Sequence, residues 1–387
     1  MLEPFTIAAD KAALDDLKQR LARPRPQTWP DDAGWDDGTD PAWLEGFLAY
    51  WRDAYDWRAE EAALNRLSHR LVTVDGTRLH VVVEKGVGPD PLPLVLTHGW
   101  PDSFWRFVKL IPRLADPAAF EADPADAFDV VVPSLPGYGF SEARPDNGGV
   151  FGFGDLWHRL MTQALGYRRY GAHGGDWGST VSDQLARSHG DAVVGVHLTD
   201  IPFWRALRPP KDPSHAEQTY LDGIQGFQQD RGAYAMIQGT RPRSLAAGLN
   251  DSPAGLAAWI VEKFQAWSDC GGDVERRFSK DELLTNVMIY WLTGTIGTSF
   301  QPYRDVMKAG APRWIAEAAR GWVGSDKTPV GVALFPKDLS TPPREWGERF
   351  YNITRWREMP AGGHFAALEE PEALADEIRA FFRPLRG

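Results

Sequence analysis

Between residues 70 and 200, short apolar runs alternate with stretches whose apolar residues recur at helical spacing. The runs PLVLTHGW (93–100) and FDVVVPSLPGYGFS (128–141) are almost continuously apolar, which is typical of strands buried on both faces of a parallel sheet. Similar runs occupy 169–179 and 193–200. The alternation predicts an α/β fold with a mostly parallel central sheet and helices on both faces.

The segments on either side of this region have other patterns. Residues 1–69 contain amphipathic helical stretches joined by a Pro-rich acidic connector, and we expect an N-terminal helical arm that packs on the core and lid. Residues 201–317 are rich in aromatic residues, and their pattern predicts helices and loops. Strand patterns return in 318–387. We therefore expect an α/β core, 70–200 plus 318–387, interrupted by a mainly helical lid over the strand ends where such sheets bind ligands.

Two local patterns give sharper expectations. Asp75-Gly76 separates two β-rich runs in LVTVDGTRLHVVVE, which predicts a hairpin. Near the end of the chain, Leu374, Ile378 and Phe381 share one face of a predicted helix.

Composition narrows the class of protein. The 387 residues are 43% hydrophobic and 25% charged, which is typical of a globular chain. A net charge of −11 argues against nucleic acid as a partner, since phosphate binding needs a basic surface. The single cysteine, Cys270, excludes an intrachain disulfide and is compatible with the cytoplasm. Because we also find no signal peptide and no apolar run near ~20 residues, we expect a cytoplasmic protein without a membrane anchor.

The strongest chemical signal is the motif GGDWG, which centres on Asp176 between a predicted strand and a predicted helix. Glycines two residues before and after Asp176 allow a sharp turn that exposes its side chain at the top of the sheet. A carboxylate is ionised at neutral pH, so it can attack an electrophilic sp³ carbon and form an ester that water then cleaves. Asp in place of Ser disfavours an ordinary esterase. Alternatively, the motif is a Gly-rich turn in which Asp176 caps the helix.

A second motif, His98-Gly99-Trp100-Pro101, directly follows the apolar run PLVLT. In this architecture, the loop after that strand supplies one N–H to an oxyanion hole, and the residue after the nucleophile supplies the other. We therefore predict that the backbone N–H groups of Trp100 and Trp177 stabilise the charge that develops when water attacks the ester. The alternative is an ordinary turn with a buried His98.

A third motif, GGHF, places His364 after the last predicted strand. This is the chain position of a general base that follows a nucleophile and an acid, although a structural loop histidine is the alternative. Asp338, two residues past the run VGVALFP, is the predicted acid that orients His364. Asp200, at the end of an earlier run, is the alternative acid. His173 lies beside the nucleophile turn, but its position in a strand favours a structural role.

Together, the strings HGWPDSF, PGYGFS, GGDWGS and GGHFAALEEPE resemble α/β-hydrolase-fold epoxide hydrolases of the microsomal type. Residues 4–100 are similar to that family's N-terminal segment, and 249–269 and 280–300 are similar to its lid. The resemblance implies two lid tyrosines that hydrogen-bond the epoxide oxygen, at the matching positions Tyr234 and Tyr303. A phenol suits this role because the leaving alkoxide is basic.

The resemblance also implies the reaction: an epoxide and water give a vicinal diol through an ester on Asp176, with no metal or organic cofactor. The Trp-rich lid suggests a bulky, apolar or aromatic epoxide, with Trp291 and Pro101 as candidate pocket residues. Asp338 stands where some members have Glu, and the anchoring helix of animal members is absent. A homodimer is compatible with the resemblance. The physiological substrate and the regio- and enantioselectivity stay open, including whether the substrate is a xenobiotic, a lipid or an enediyne-type natural-product intermediate.

Two other functions remain as alternatives. A haloalkane dehalogenase of the same fold also uses an Asp nucleophile, but it holds the halide with Trp or Asn N–H donors. Trp100, Trp177 and Trp291 are candidates for such donors, and a halide-release assay separates the two activities. A non-catalytic small-molecule binding protein on a hydrolase scaffold is disfavoured, because nucleophile, base and acid are all present.

Overall fold

The computed structural model describes residues 2–25, 27, 34–144, 149–207, 209–308 and 327–386. Within these residues, nine strands form one sheet. The strands are β1 (Glu3–Pro4), β2 (His69–Val74), β3 (Thr77–Glu84), β4 (Leu92–Thr97), β5 (Phe128–Pro133), β6 (Tyr170–Gly174), β7 (Val193–Leu198), β8 (Pro329–Leu334) and β9 (Asn352–Glu358).

The strand order places the ends of β4 and β6 side by side. The order is β1-β2-β3-β5-β4-β6-β7-β8-β9, with the first three neighbouring pairs antiparallel and the others parallel. From β4 the chain goes to β5 on one side, and it returns to form β6 on the other. Such a switch point leaves a crevice outside the carboxyl ends of the two strands, where ligands bind in open α/β sheets.

Helices pack against this sheet and also fill the chain between β7 and β8. They are α1 (Lys11–Leu21), α2 (Pro41–Asp53), α3 (Trp57–Leu64), α4 (Ile111–Ala115), α5 (Phe153–Arg159), α6 (Trp177–Ser188), α7 (His215–Arg231), α8 (Ala233–Thr240), α9 (Pro242–Asp251), α10 (Pro253–Trp267), α11 (Lys280–Thr293), α12 (Gln301–Lys308), α13 (Arg344–Glu348), α14 (Ala366–Glu369) and α15 (Pro371–Phe382). Helices α7 to α12 fall within the predicted lid, whose last residues, 309–317, lie outside the described residues.

Both local predictions are confirmed. The hairpin between β2 and β3 turns through Asp75 and Gly76, whose φ values of 51° and 72° match a tight turn with two left-handed residues. In α15, Phe381 is buried and packs on the sheet where the strands carry glycine. A Cβ on Gly195 or Gly331 would lie 3.1 Å or 2.6 Å from the Phe381 ring.

The N-terminal arm contains the three predicted helices, α1 to α3, and one element that the sequence pattern did not reveal. Strand β1 is only two residues long and pairs antiparallel with β2, too short to produce a periodic pattern. The arm also contacts the lid: Tyr50 Oη donates to Asp281 Oδ1 at 2.9 Å, and Thr39 Oγ1 donates to the carbonyl of Ala258 at 2.8 Å. None of the described helices is long and apolar enough to cross a bilayer.

Candidate active site

Asp176 lies on the sharp turn between β6 and α6. Its φ of 58° and ψ of −127° are strained for a residue with a side chain. Glycine is needed two residues before and two residues after Asp176. A Cβ on Gly174 would lie 2.3 Å from the backbone of Gly178, and a Cβ on Gly178 would lie 2.0 Å from the carbonyl oxygen of Thr97. These glycines let α6 start close to β4, so that Asp176 lies at the carboxyl edge of the sheet.

Asp200, the alternative acid of the sequence analysis, holds this turn. Its Oδ1 accepts a hydrogen bond from the N–H of Asp176, and its Oδ2 accepts one from Oγ of Ser179, both at 2.9 Å. Burial and the nearby negative charge of Asp338 raise the pKa of Asp200 to about 7. Among the described residues, no hydrogen bond joins Asp200 to His364. Asp200 therefore supports the turn that carries Asp176 rather than the imidazole.

The carboxylate of Asp176 faces the loop after β4 and the loop before α14. The N–H of Trp100 donates to Oδ1 at 2.9 Å, and Oδ2 lies 3.6 Å from Nε2 of His364. A Cβ on Gly99 would lie 2.1 Å from Oδ1, so glycine is required for this close approach. Within the described part of the chain, the N–H of Trp177 makes no hydrogen bond to this carboxylate. Of the two predicted oxyanion donors, the structure directs Trp100 at Asp176.

His364 and Asp338 form a buried hydrogen-bonded pair. Nδ1 of His364 lies 2.7 Å from Oδ1 of Asp338, and it is the donor because a carboxylate only accepts. Burial lowers the pKa of His364, but the negative charge of Asp338, the nearby Asp176 carboxylate and the hydrogen bond to Asp338 outweigh burial and raise this pKa to about 10. Nε2 makes no hydrogen bond to a described residue and points at Asp176. The structure thus brings the predicted nucleophile, base and acid together in one row.

Two buried charges that the sequence analysis did not single out connect the loops around this row. Arg106 forms an ion pair with Asp102 and donates to the backbone carbonyl of His364 at 2.5 Å. Asp102 in turn accepts from the N–H of Gly99 at 2.9 Å. Burial raises the pKa of Asp102, but Arg106 outweighs this and lowers it to about 2. The four-residue spacing of Asp102 and Arg106 was the one sequence signal for this ion pair. Pairs at that spacing usually lie on the exposed face of a helix, so the spacing alone does not indicate a buried pair.

The two predicted tyrosines lie close together on packed lid helices, Tyr234 on α8 and Tyr303 on α12, with ring centroids 6.0 Å apart. Tyr234 stacks on Trp100 at 5.3 Å with an interplanar angle of 9°, and Tyr303 meets Trp177 edge-on at 4.9 Å. Both tyrosines therefore pack on the residues that flank the proposed nucleophile. Burial is the main cause that raises the pKa of each phenol well above its ordinary value; the charge of Asp176 adds to it for Tyr234, and Tyr234 and then Asp176 add to it for Tyr303. Both phenols are neutral donors at physiological pH.

Trp267, at the end of α10, joins the lid to the histidine loop and was also not singled out from the sequence. Its carbonyl oxygen accepts from the N–H of His364 at 2.8 Å. Its ring lies 5.2 Å from the Tyr234 ring and 5.4 Å from the imidazole of His364. Trp267 thus contacts both the predicted base, His364, and one of the two predicted lid tyrosines, Tyr234.

The two candidate pocket residues lie in different places. Pro101 is buried next to Trp100, and its carbonyl oxygen accepts from Nδ2 of Asn286 on α11 at 2.9 Å. Trp291 is half-buried, and the guanidinium of Arg20 in the arm lies 5.8 Å from its ring centroid. The structure therefore does not bring Trp291 together with the other predicted site residues.

The other two histidines that the motifs raised are buried and hydrogen-bonded elsewhere. His98 Nε2 accepts from the N–H of Leu135 at 3.1 Å. His173 lies 3.0 Å from Nδ1 of His197, and burial followed by the charge of Arg106 lowers the pKa of His173 to about 3. These contacts fit a structural role for both side chains.

A cavity of about 1120 Å³ lies between the N-terminal arm and the lid. Its wall includes Tyr234, Trp35, Trp259 and Lys263. It therefore reaches one of the two lid tyrosines from the side of the arm. The part of the chain that the structure describes contains no group of three His, Cys, Asp or Glu side chains arranged to hold a metal ion.

The sheet with its switch point, the turn after β6 and the His–Asp pair after β9 and β8 define an α/β-hydrolase-fold protein. Comparison with family models agrees. A model described as "alpha/beta hydrolase fold" matches residues 93–235, and one described as "Epoxide hydrolase N terminus" matches residues 2–107. The predicted fold class is thereby confirmed.

Proteins that match this chain over nearly its whole length narrow the α/β-hydrolase fold to one family. The chain is 40% identical to a putative epoxide hydrolase of Stigmatella aurantiaca, over 100% of this chain and 86% of the relative. It is 33% identical to epoxide hydrolase 1 of Sus scrofa, over 98% and 88%. The structure of Aspergillus niger epoxide hydrolase matches with a TM-score of 0.85 and 31% identity, over 100% of this chain and 97% of that one. The chain belongs to the epoxide hydrolase family, as the motifs predicted.

Proposed function

We propose that this enzyme converts an epoxide to a vicinal diol through a covalent alkyl ester on Asp176. The observation that carries the proposal is the arrangement of one carboxylate. Trp100 N–H holds its Oδ1 at 2.9 Å, and its Oδ2 lies 3.6 Å from an imidazole that is bonded to Asp338. A nucleophile, an oxyanion donor and an oriented base are the parts that ester formation and ester hydrolysis need.

In the first step, Oδ2 of Asp176 attacks an epoxide carbon and the carbon–oxygen bond of the ring breaks. The electron pair stays on the ring oxygen, which accepts hydrogen bonds and then a proton from Tyr234 or Tyr303. The raised pKa of both phenols supports this role, because each keeps its proton until a strongly basic alkoxide develops. Burial strengthens these hydrogen bonds, since little water competes for them.

In the second step, His364 takes a proton from water, which attacks the carbonyl carbon of the ester. The bond between that carbon and the alkyl oxygen then breaks, the His364 imidazolium protonates the departing alkoxide to give the diol, and the acid proton left on Asp176 passes back to His364. The charge that develops on Oδ1 is stabilised by the N–H of Trp100. Before ring opening, Asp338 and the Asp176 carboxylate hold the pKa of His364 near 10. Ester formation removes the charge of Asp176, and the pKa of His364 therefore falls. As its pKa falls, the His364 imidazolium gives up its proton, which restores the phenol of the tyrosine that protonated the epoxide oxygen, and neutral His364 can then act as a base.

The surroundings of Asp176 support a bulky apolar or aromatic epoxide as the substrate. The tryptophan rings that pack on the two phenols belong to Trp100, Trp177 and Trp267. Such walls favour aryl groups through burial and ring contacts. Comparing kcat/KM for styrene oxide and for the small polar epoxide glycidol tests this preference. An advantage for glycidol would contradict it.

The activity itself is tested by incubating the purified protein with styrene oxide and with 1-bromobutane, measuring diol and bromide. We expect phenylethanediol and no bromide, and we expect Asp176→Asn to form no diol. Bromide without diol would contradict the proposal and favour the dehalogenase alternative. An unchanged rate of diol formation in Asp176→Asn would exclude the ester mechanism.

A further inference from the structure

Lys263 is a buried lysine beside the candidate active site that the proposed reaction does not use. It lies on α10, its side chain is 9% exposed, and it forms an ion pair with Glu262. Its ammonium nitrogen lies 5.0 Å from the ring centroid of Tyr234, 5.4 Å from that of Trp259 and 5.8 Å from that of Trp267. Three aromatic rings therefore surround one cation.

Burial of the Lys263 ammonium costs free energy, which a residue with only a packing role would not require. An ammonium is strongly hydrated, and burying it costs free energy that an ion pair often fails to recover. The faces of aromatic rings recover part of this cost, because their electron density attracts the cation. An apolar side chain of similar length would cover the same rings without any charge to bury. A role that needs the positive charge is therefore the better explanation.

We propose that Lys263 is a positioning residue for ring opening, which acts through Tyr234 by stabilising negative charge on that phenol. The inference rests on the proposed function of Tyr234. As the Tyr234 hydroxyl gives its proton to the epoxide oxygen, electron density on the Tyr234 ring rises. The attraction between the ring and the Lys263 ammonium rises with it, so the lysine stabilises the transition state more than the resting enzyme.

The carboxylates around Tyr234 disfavour proton donation by its phenol, and the positive charge of Lys263 opposes their effect. Burial, Asp176 and Glu262 all favour the neutral phenol. Lys263 forms an ion pair with Glu262 and so offsets that carboxylate at close range. Tyr234 also stacks on Trp100, which fixes its ring while the ammonium lies near it. Lys263 touches neither Asp176 nor His364 among the described contacts, so its effect should be confined to the first step.

The test separates the two steps in single-turnover reactions with styrene oxide, by rapid quench and intact-mass detection of the ester enzyme. Lys263→Met should slow ester formation by about tenfold, the effect of a desolvated cation–π contact, and leave ester hydrolysis unchanged. Lys263→Arg should restore most of the lost rate, because it keeps the charge. Lys263→Gln, a second neutral variant, should slow ester formation by the same factor. It replaces Lys263→Met in the test if that variant folds poorly.

Two controls show whether the effect passes through Tyr234. In a Tyr234→Phe background, Lys263→Met should cause no further loss of ring opening, since the ring no longer carries a proton donor. Lys109→Met removes another lysine–glutamate pair, which joins the core to Glu282 on lid helix α11, and should leave both steps unchanged.

Three results would overturn the inference. One is an equal loss in both steps for Lys263→Met. Another is an undiminished loss in the Tyr234→Phe background, and the third is no change in ester formation for either neutral variant. If the unsubstituted enzyme forms diol without any ester enzyme, the proposed function fails as well, and that outcome is visible before any variant is made.

Discussion

The core and the lid hold their proposed catalytic groups in different ways. In the core, Asp176, Trp100 and His364 are fixed by backbone hydrogen bonds of 2.8–2.9 Å and by glycines that no other residue can replace without a clash. In the lid, Tyr234 and Tyr303 are fixed by ring contacts of 4.9–6.0 Å. Hydrogen bonds are directional and ring packing is less so. We infer that the core sets the ester chemistry and the lid sets how the epoxide is opened.

The largest expected effect tests the core. Asp176→Asn should lower diol formation by at least about 10,000-fold, because an amide is a poor nucleophile. Asn tolerates a φ of 58° and can still accept the hydrogen bond from Trp100, so the fold should be kept. Steady-state kinetics and a thermal melt measure both properties. Turnover within tenfold of the unsubstituted enzyme would exclude Asp176 as the nucleophile.

The next effect separates the two steps within the core. His364→Gln should still open the epoxide but hydrolyse the ester about 100–10,000-fold more slowly, because the general base is lost. Mass spectrometry after one substrate addition should find the enzyme heavier by the mass of one epoxide. Asp338→Asn should give the same pattern with a smaller loss. No accumulation of ester in either variant, with turnover retained, would remove the His–Asp pair from the second step.

The lid variants are expected to show the opposite pattern. Tyr234→Phe and Tyr303→Phe should each slow ester formation by about 100-fold, the range for removing one donor to a developing oxyanion, and leave ester hydrolysis unchanged. The double variant should lose more than either single one. Tyr167→Phe is a matched control, because its phenol bonds Asp129 instead. Slower hydrolysis in the tyrosine variants would contradict the division between core and lid.

The smallest effect concerns stability and pH. The pKa of His364 is raised from 6.5 to about 10 in the folded protein, so between these values only the folded state keeps the proton. Stability from this group is complete below pH 6.5 and is lost as pH rises towards 10. The pKa of Asp200, raised from 3.8 to about 7, makes stability fall as pH rises between those two values, so Asp200 contributes little to the change above pH 7. The melting temperature should therefore fall by a few degrees between pH 7 and 10, and less in His364→Gln. Equal slopes would contradict the raised pKa.

The candidate site residues of the core could be predicted from the sequence because short local motifs mark them. The glycines around Asp176 and beside His364 stand next to the residues they position, and the alternation of strands and helices gives their order along the sheet. Asp338 and Asp200 could not be separated in this way. Both follow strands, and only the folded chain shows that Asp338 bonds the imidazole of His364 while Asp200 bonds the turn that carries Asp176.

The two lid tyrosines could be predicted only through the resemblance. Tyr234 and Tyr303 lie in aromatic-rich helices where no spacing distinguishes a proton donor from a packing residue. For the same reason Trp291 was predicted as a pocket residue, although the structure does not bring it to the site. Trp267 and Arg106 were missed for a related reason, since their contacts with the histidine loop join segments far apart in the chain. Contacts at such distances depend on how the lid and loops pack, and that information is not local.

The central claim, an ester on Asp176, is tested most directly by a single turnover of styrene oxide in ¹⁸O-water, with enzyme in excess. The account predicts a first diol without solvent label, because its new oxygen comes from the Asp176 carboxylate. It also predicts that the label then appears in the peptide that contains Asp176. A first diol that carries solvent oxygen, with no label in that peptide, would mean that water attacks the epoxide directly and would contradict the account.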